Sequence, residues 1–214
     1  MNVVSFSLWG DKPKYTVGAL KNARLASIYY RGWECRFYCD GDTVPDEVVA
    51  SLQLLDNTKV VVMKASEESH WSMFWRFYAI DDAEVERCIF RDADSRIGQR
   101  EAMAVQEWIS SGKGFHMMRD HPQHGTPIMG GMWGAVGGKI KNMRGLIDSY
   151  YKQGLTRSSL FGLDQDFLTH SILPIAQRDM IEHDEFFARK SFPIPRDPKH
   201  FVGQVYDEND NPQF

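Results

Sequence analysis

The stretch Arg87-Cys88-Ile89-Phe90-Arg91-Asp92-Ala93-Asp94-Ser95-Arg96 decides the fold. Its first four residues read as a short strand, and the chain then turns polar with two aspartates one residue apart. In open α/β sheets, ligands bind beyond the carboxyl ends of the strands, so the pair stands where such a fold keeps its crevice. A bare Asp-x-Asp is commonly a solvated turn. The strand before this one, with Arg91, Ser95 and Arg96 around it, favours a site. Two carboxylates in extended chain offer hard oxygen donors suited to Mg²⁺ or Mn²⁺.

Working outward toward the N-terminus, strands and helices alternate. Val3 to Leu8 is an apolar run ending in Trp9-Gly10-Asp11-Lys12-Pro13, a strand and its turn. Thr16 opens a helical pattern through Leu20, Ala23 and Ser27 that stops at Gly32. Glu34 to Cys39 is a second strand, Pro45 heads a helix, and Thr58 to Met63 is a β-branched third strand. Trp71, Phe74, Trp75 and Tyr78 recur at helical spacing over 71–80, most simply as a core face. This order implies parallel pairing with right-handed crossovers: an α/β, mostly parallel central sheet flanked by helices in one layered domain.

Beyond Arg96 the pattern is less regular. A helix is expected over 101–110, strands over 114–118 and 128–135, helices over 139–152 and 164–173, and a last strand over 201–206. The domain is accordingly drawn at 1–206, with a regular first half to about 96 and a second half over 97–206. Residues 207–214 (Asp-Glu-Asn-Asp-Asn-Pro-Gln-Phe) read as a solvated tail or a linker.

Composition narrows the function. The 214 residues carry 25 basic and 29 acidic side chains, a net charge of −4, which argues against a nucleic-acid footprint. No apolar run approaches the ~18 residues of a membrane span. Three cysteines without a Cys-x-x-Cys pair, and an N-terminus lacking a signal-peptide pattern, imply reduced thiols and a cytoplasmic location.

Two further clusters carry possible chemistry. Gly162-Leu163-Asp164-Gln165-Asp166 stands at a helix start, where Asp164 fits an N-cap and Asp-Gln-Asp also suits sugar hydroxyls or a general base. Asp120-His121-Pro122-Gln123-His124-Gly125 matches no zinc spacing, and Gly130-Gly131 beside Trp133 suggests either close ligand approach or tight packing. Gly138-Lys139 is not a phosphate loop, because Trp133 replaces its first glycine and Ile140 its hydroxyl residue. A lone histidine such as His183 is more often surface or core than ligand.

Phe6-Ser7-Leu8-Trp9-Gly10, Asp92-Ala93-Asp94, Gly130-Gly131 and Asp164-Gln165-Asp166, in this order, resemble nucleotide-sugar glycosyltransferases of the GT-A fold. The tail from Phe192-Pro193 to Asp207-Glu208 is similar to small bacterial and large-DNA-virus members that build surface or capsid glycans. The resemblance implies transfer of a monosaccharide from a nucleotide sugar, with UDP favoured, to a glycan hydroxyl with Mn²⁺ or Mg²⁺. It places Ser7, Leu8, Trp9 and Tyr15 at the nucleoside, and Arg76 and Arg96 at the diphosphate or donor sugar. It makes Asp92 a ribose or sugar contact and metal-site residue, Asp94 the direct metal ligand and His183 a late ligand. Gly130 and Gly131 then border the donor, and Asp164, Gln165 and Asp166 border the anomeric carbon. Two other readings remain at this point: a metal-dependent phosphohydrolase or nucleotidyltransferase, and a non-catalytic carbohydrate-binding domain.

Overall fold

Among the described residues seven strands form one sheet: β1 (Asn2–Leu8), β2 (Glu34–Asp40), β3 (Thr58–Met63), β4 (Arg87–Phe90), β5 (Phe115–Arg119), β6 (Trp133–Val136) and β7 (Met180–Asp184). Their order is β3-β2-β1-β4-β6-β5-β7. All run the same way except β6, which pairs antiparallel with both β4 and β5. The computed structural model describes residues 1–64, 72–154, 162–187 and 190–213. The mostly parallel α/β sheet expected from the sequence is the one observed.

Burial explains why the central strands are mostly apolar, with their buried serines hydrogen-bonded. Val3 to Leu8 of β1 is buried on both sides of the sheet, as parallel strands covered by helices must be. On one face lie α1 (Pro13–Tyr29), α2 (Asp46–Gln53) and α3 (Gln99–Ser111), which share a core with Phe6, Phe37 and Ile89. Pro13 starts α1, where a missing N–H is harmless. Ala19, Ala23 and Ala26 let the helix lie close to the sheet.

The opposite face carries the 3₁₀ segment Ser72–Asp81, α4 (Met143–Lys152) and α5 (Leu163–Phe167). Phe77 meets Phe90 at 5.3 Å and Trp133 at 5.6 Å between ring centroids, and Phe74 meets Phe167 at 5.5 Å. Edge-on aromatic pairs of this kind contribute about 0.5–1.5 kcal/mol each beyond their burial. They fix the 3₁₀ segment against β4, β6 and α5 together. The core face read over 71–80 is real, although it is a 3₁₀ helix and Trp71 lies outside the described residues.

Three expectations for the second half need correction. The helix over 164–173 is α5, a π-type turn at Leu168–Ile172 and α6 (Leu173–Ala176); Pro174 has no N–H to donate back to the preceding turn. The strand Met180–Asp184 was not expected, because Glu182, His183 and Asp184 break its apolar run. Residues 207–213, expected as a solvated tail or linker, are largely exposed but not extended away from the domain: β9 (Pro212–Gln213) folds back antiparallel on β8 (Val205–Tyr206). Asp210 there is ion-paired with Lys21 of α1 at 2.6 Å and with Arg96 at 2.8 Å.

Candidate active site

β1 and β4 are parallel neighbours, so Trp9 and Asp92 leave the sheet at the same end. The reversed β6 begins there too, immediately after Gly130-Gly131. Three segments far apart in sequence thus converge at one rim.

Several contacts hold the Asp92-Ala93-Asp94 turn. The Asn22 amide donates to the carbonyls of Ala93 (3.1 Å) and Ser95 (2.8 Å), while its oxygen accepts from the Ile97 amide at 3.0 Å. Gly18 of the same helix lies where a Cβ would collide with the Ala93 carbonyl. From the other side the Tyr206 amide donates to the Asp94 carbonyl at 2.8 Å, so the β8–β9 hairpin buttresses the turn. Asn22, Gly18 and Tyr206 were not singled out in the sequence, since each acts across more than 70 residues or through backbone.

Arg76 joins two of the motifs. Its guanidinium donates to the Asp92 carboxylate and, at 2.6 Å, to Asp164 Oδ2. The Arg76 side chain is only 6% exposed. Burial works against its charge, and Asp92 and Asp164 outweigh that effect to raise its pKa. Its backbone is pinned to β1, since Ser5 Oγ donates to the Arg76 carbonyl at 2.7 Å and the Arg76 amide donates to Ser7 Oγ at 2.9 Å. The paired glycines make room for the junction. A Cβ on Gly130 would strike the Asp164 carboxylate, and one on Gly131 the Asp92 carboxylate. The close approach expected at these glycines is made by the chain's own acids.

Asp164 is not the N-cap. Gly162 takes that position with a φ of 77°, which releases the Asp164 side chain toward Arg76. Its Oδ1 accepts from the Gln165 amide at 2.9 Å, so both carboxylate oxygens are engaged. Burial raises the Asp164 pKa, Arg76 opposes that, and Asp92 adds to it. Gln165 Oε1 accepts from Thr126 Oγ1 at 2.8 Å, which ties the His/Pro-rich loop to this motif. Asp166 is half-buried on the same turn.

Asp94 has a different partner. Lys14 Nζ stands 3.1 Å from Asp94 Oδ2 and 4.4 Å from the centre of the Tyr15 ring. Burial, and then the nearby Asp92 charge, raises the Asp94 pKa, while Lys14 opposes both. Lys14 is itself penalised by burial, yet its bonds to Tyr15 and Asp94 raise its pKa. Beside it Ser7, Leu8, Trp9 and Tyr15 line one small cleft, with Trp9 and Tyr15 stacked at 6.5 Å and 21°. Trp9 leaves 43% of its surface exposed, an available aromatic face.

Two expected residues lie elsewhere. His183 is fully buried on β7, three strands from β4, about 14 Å away at ordinary strand spacing. Its Nδ1 is 2.8 Å from His116 Nε2 and its Nε2 is 3.3 Å from Glu107, so it belongs to an interior pair and not to the Asp94 shell. Arg96 faces Asp210 and the Asp207 carbonyl, holding the C-terminal hairpin. In the His/Pro-rich loop, Asp120 is fully buried and gripped by both forks of Arg100 at 2.9 Å. That acid is structural.

Among the described residues no group of three or more His, Cys, Asp or Glu could hold a metal. Asp92 and Asp94 could offer an ion two hard oxygen donors, and burial first, then the Asp92 charge, raises the Asp94 pKa. Such a pair fits a small divalent ion that takes its remaining ligands from water and a bound phosphate group. No helix among the described residues is long and apolar enough to cross a membrane.

No model of a known protein family matches the sequence, and no curated protein sequence matches it. Solved structures do. A glycosyltransferase involved in glycosylation of the major capsid of PBCV-1 is similar with a TM-score of 0.56 at 16% identity, over 86% of this chain and 82% of that one. The galactosyltransferase LgtC, in complex with donor and acceptor sugar analogues, is similar with a TM-score of 0.57 at 10% identity, over 86% and 74%. The glycosyltransferase GlyE of Streptococcus pneumoniae is similar with a TM-score of 0.55 at 14% identity, over 86% of this chain and 45% of that one. The chain has the GT-A fold of these enzymes.

Proposed function

We propose that the protein is a metal-dependent glycosyltransferase that moves a monosaccharide from a nucleotide sugar, with UDP favoured, to a glycan hydroxyl. The observation that carries this reading is the convergence of Asp92, Asp94, Asp164 and Gln165 at one end of a GT-A sheet, beside the Trp9–Tyr15 cleft. In this reading residues up to about 96 bind the donor, and later segments present the acceptor.

The cleft lined by Ser7, Leu8, Trp9 and Tyr15 takes the nucleoside, with the base on the exposed Trp9 face. Asp92 and Asp94 hold the divalent ion. When bound, Mn²⁺ or Mg²⁺ neutralises charge on the diphosphate leaving group. Arg76 fixes Asp92 and Asp164 in one geometry before substrate arrives, so the site spends little reorganisation at the moment of reaction. Asp164, with both oxygens engaged, serves as a fixed negative charge facing the sugar as positive charge grows at its anomeric carbon. Gln165 and Asp166, on the same turn, border the transferred sugar and the acceptor hydroxyl. Gln165 is oriented by Thr126 of the loop that follows β5.

The test is an assay of nucleoside diphosphate release from a panel of sugar nucleotides with Mn²⁺ or Mg²⁺, run beside inorganic phosphate release from monoesters. The expected result is diphosphate release from at least one sugar nucleotide, lost with chelator and in Asp94→Asn. Phosphate release alone would favour a phosphohydrolase.

A further inference from the structure

The three carboxylates of the site, Asp92, Asp94 and Asp164, are balanced by two cations of unlike setting. Arg76 is sealed in, whereas the Lys14 side chain is 36% exposed and reaches an Asp94 side chain that is itself only 11% exposed. Lys14 is therefore the partner that can move: a flexible stem at the edge of the site, in an ion pair of the half-exposed, weakly held kind. Its position is not accidental. Asn22 and Gly18 lock α1 onto the Ala93 carbonyl, and this sets Lys14, one turn before Gly18, against Asp94.

Two further facts bear on what Lys14 does there. Its ammonium contacts the same carboxylate that the proposed donor site needs for its divalent ion, and two cations on Asp94 repel each other. It also lies over the ring of Tyr15, one of the residues that line the nucleoside cleft. A diphosphate joining a base in that cleft to an ion on Asp94 has to pass beside it.

Resting on the donor-site reading above, we propose that Lys14 is an exchangeable counter-ion: it occupies Asp94 in the empty site and transfers to the diphosphate when nucleotide binds. Metal binding is then weak without nucleotide and strong with it. The coupling is reciprocal, so nucleotide also binds better with metal. Lys14 positions the leaving group's charge and keeps Asp94 neutralised between turnovers.

The test is a titration of the intact protein with Mn²⁺, following the electron paramagnetic resonance of free Mn²⁺, alone and with UDP or GDP. It compares wild type, Lys14→Met, Lys14→Gln and Asp94→Asn. The expected result is that both Lys14 variants bind Mn²⁺ without nucleotide about tenfold more tightly than wild type and lose most of the nucleotide-induced gain. Asp94→Asn is expected to lose Mn²⁺ binding with and without nucleotide. If Asp94→Asn behaves so but both Lys14 variants match wild type within about twofold, the counter-ion role is overturned and the donor site stands. If Asp94→Asn binds Mn²⁺ and nucleotide as wild type does, the donor-site reading itself fails.

Discussion

The interior and the rim of the site solve the same electrostatic problem in opposite ways. Inside, Arg76 grips the buried Asp164 and reaches out to the half-exposed Asp92, with its backbone tied to Ser5 and Ser7 and its head shut away from water. At the rim, Lys14 meets Asp94 through one contact at the end of a partly exposed stem. A buried ion pair of good geometry is costly to break from one side, while an exposed one is easily exchanged. The first arrangement therefore serves as framework and the second as a place where ligands can enter.

The largest expected effect breaks the interior arm. Arg76→Ala leaves Asp164 buried and unpaired, and unfolding in urea should show a loss of about 3–5 kcal/mol. Arg76→Lys should recover only part of this, because one ammonium cannot reproduce a guanidinium fork between two carboxylates. Next comes the support between the arms. Asn22→Ala strands the Ile97 amide and the Ala93 carbonyl beside the Asp92–Asp94 turn, while the Ser95 carbonyl keeps Arg96, with an expected loss of about 1–3 kcal/mol by the same measurement and a fall in donor affinity.

At the rim the sign reverses. Burial and Asp92 raise the Asp94 pKa above its ordinary 3.8, so ionisation at neutral pH works against the fold. Asp94→Asn should abolish turnover while the melting temperature stays level or rises slightly in differential scanning calorimetry. A clear drop would mean that Asp94 holds the structure together, as Arg76 does.

The smallest effect lies outside both arms and serves as their control. His116 and His183 are held below the usual 6.5, chiefly by burial, and burial holds His124 at about 4. Each is neutral in the folded protein while the unfolded chain takes up protons from about pH 6.5 downward. Their contribution is complete at neutral pH and is lost as pH falls from 6.5 through the folded values. Melting curves between pH 7 and 4 should slope downward with acid, and His124→Asn should flatten part of that slope without altering donor affinity at pH 7.

The contrast between interior and rim also marks what was legible in the sequence. β1 to β4 announce themselves because each strand and its turn are written locally, in Val3 to Leu8 before Gly10 and in Arg87 to Phe90 before Asp92. The Asp92 and Asp164 motifs were visible as motifs, but their junction through Arg76 was not, since it rests on aromatic packing of Phe74 and Phe77 across the sheet. Lys14 was not singled out, since the partner that gives it a role is 80 residues away. His183 was expected as a late metal ligand from the resemblance alone; the charged strand carrying it was not recognised, so its buried partner His116 and the exposed Glu107 beside it stayed out of view.

The most direct measurement is anomalous diffraction at the manganese edge from crystals grown with Mn²⁺ and UDP. The account predicts one strong peak bounded by Asp92 and Asp94, a diphosphate on it, uracil against Trp9 and Tyr15, and Lys14 turned from Asp94 to the phosphates. Manganese and nucleotide bound away from Asp94, or nucleotide bound with no ion near that carboxylate, would contradict it.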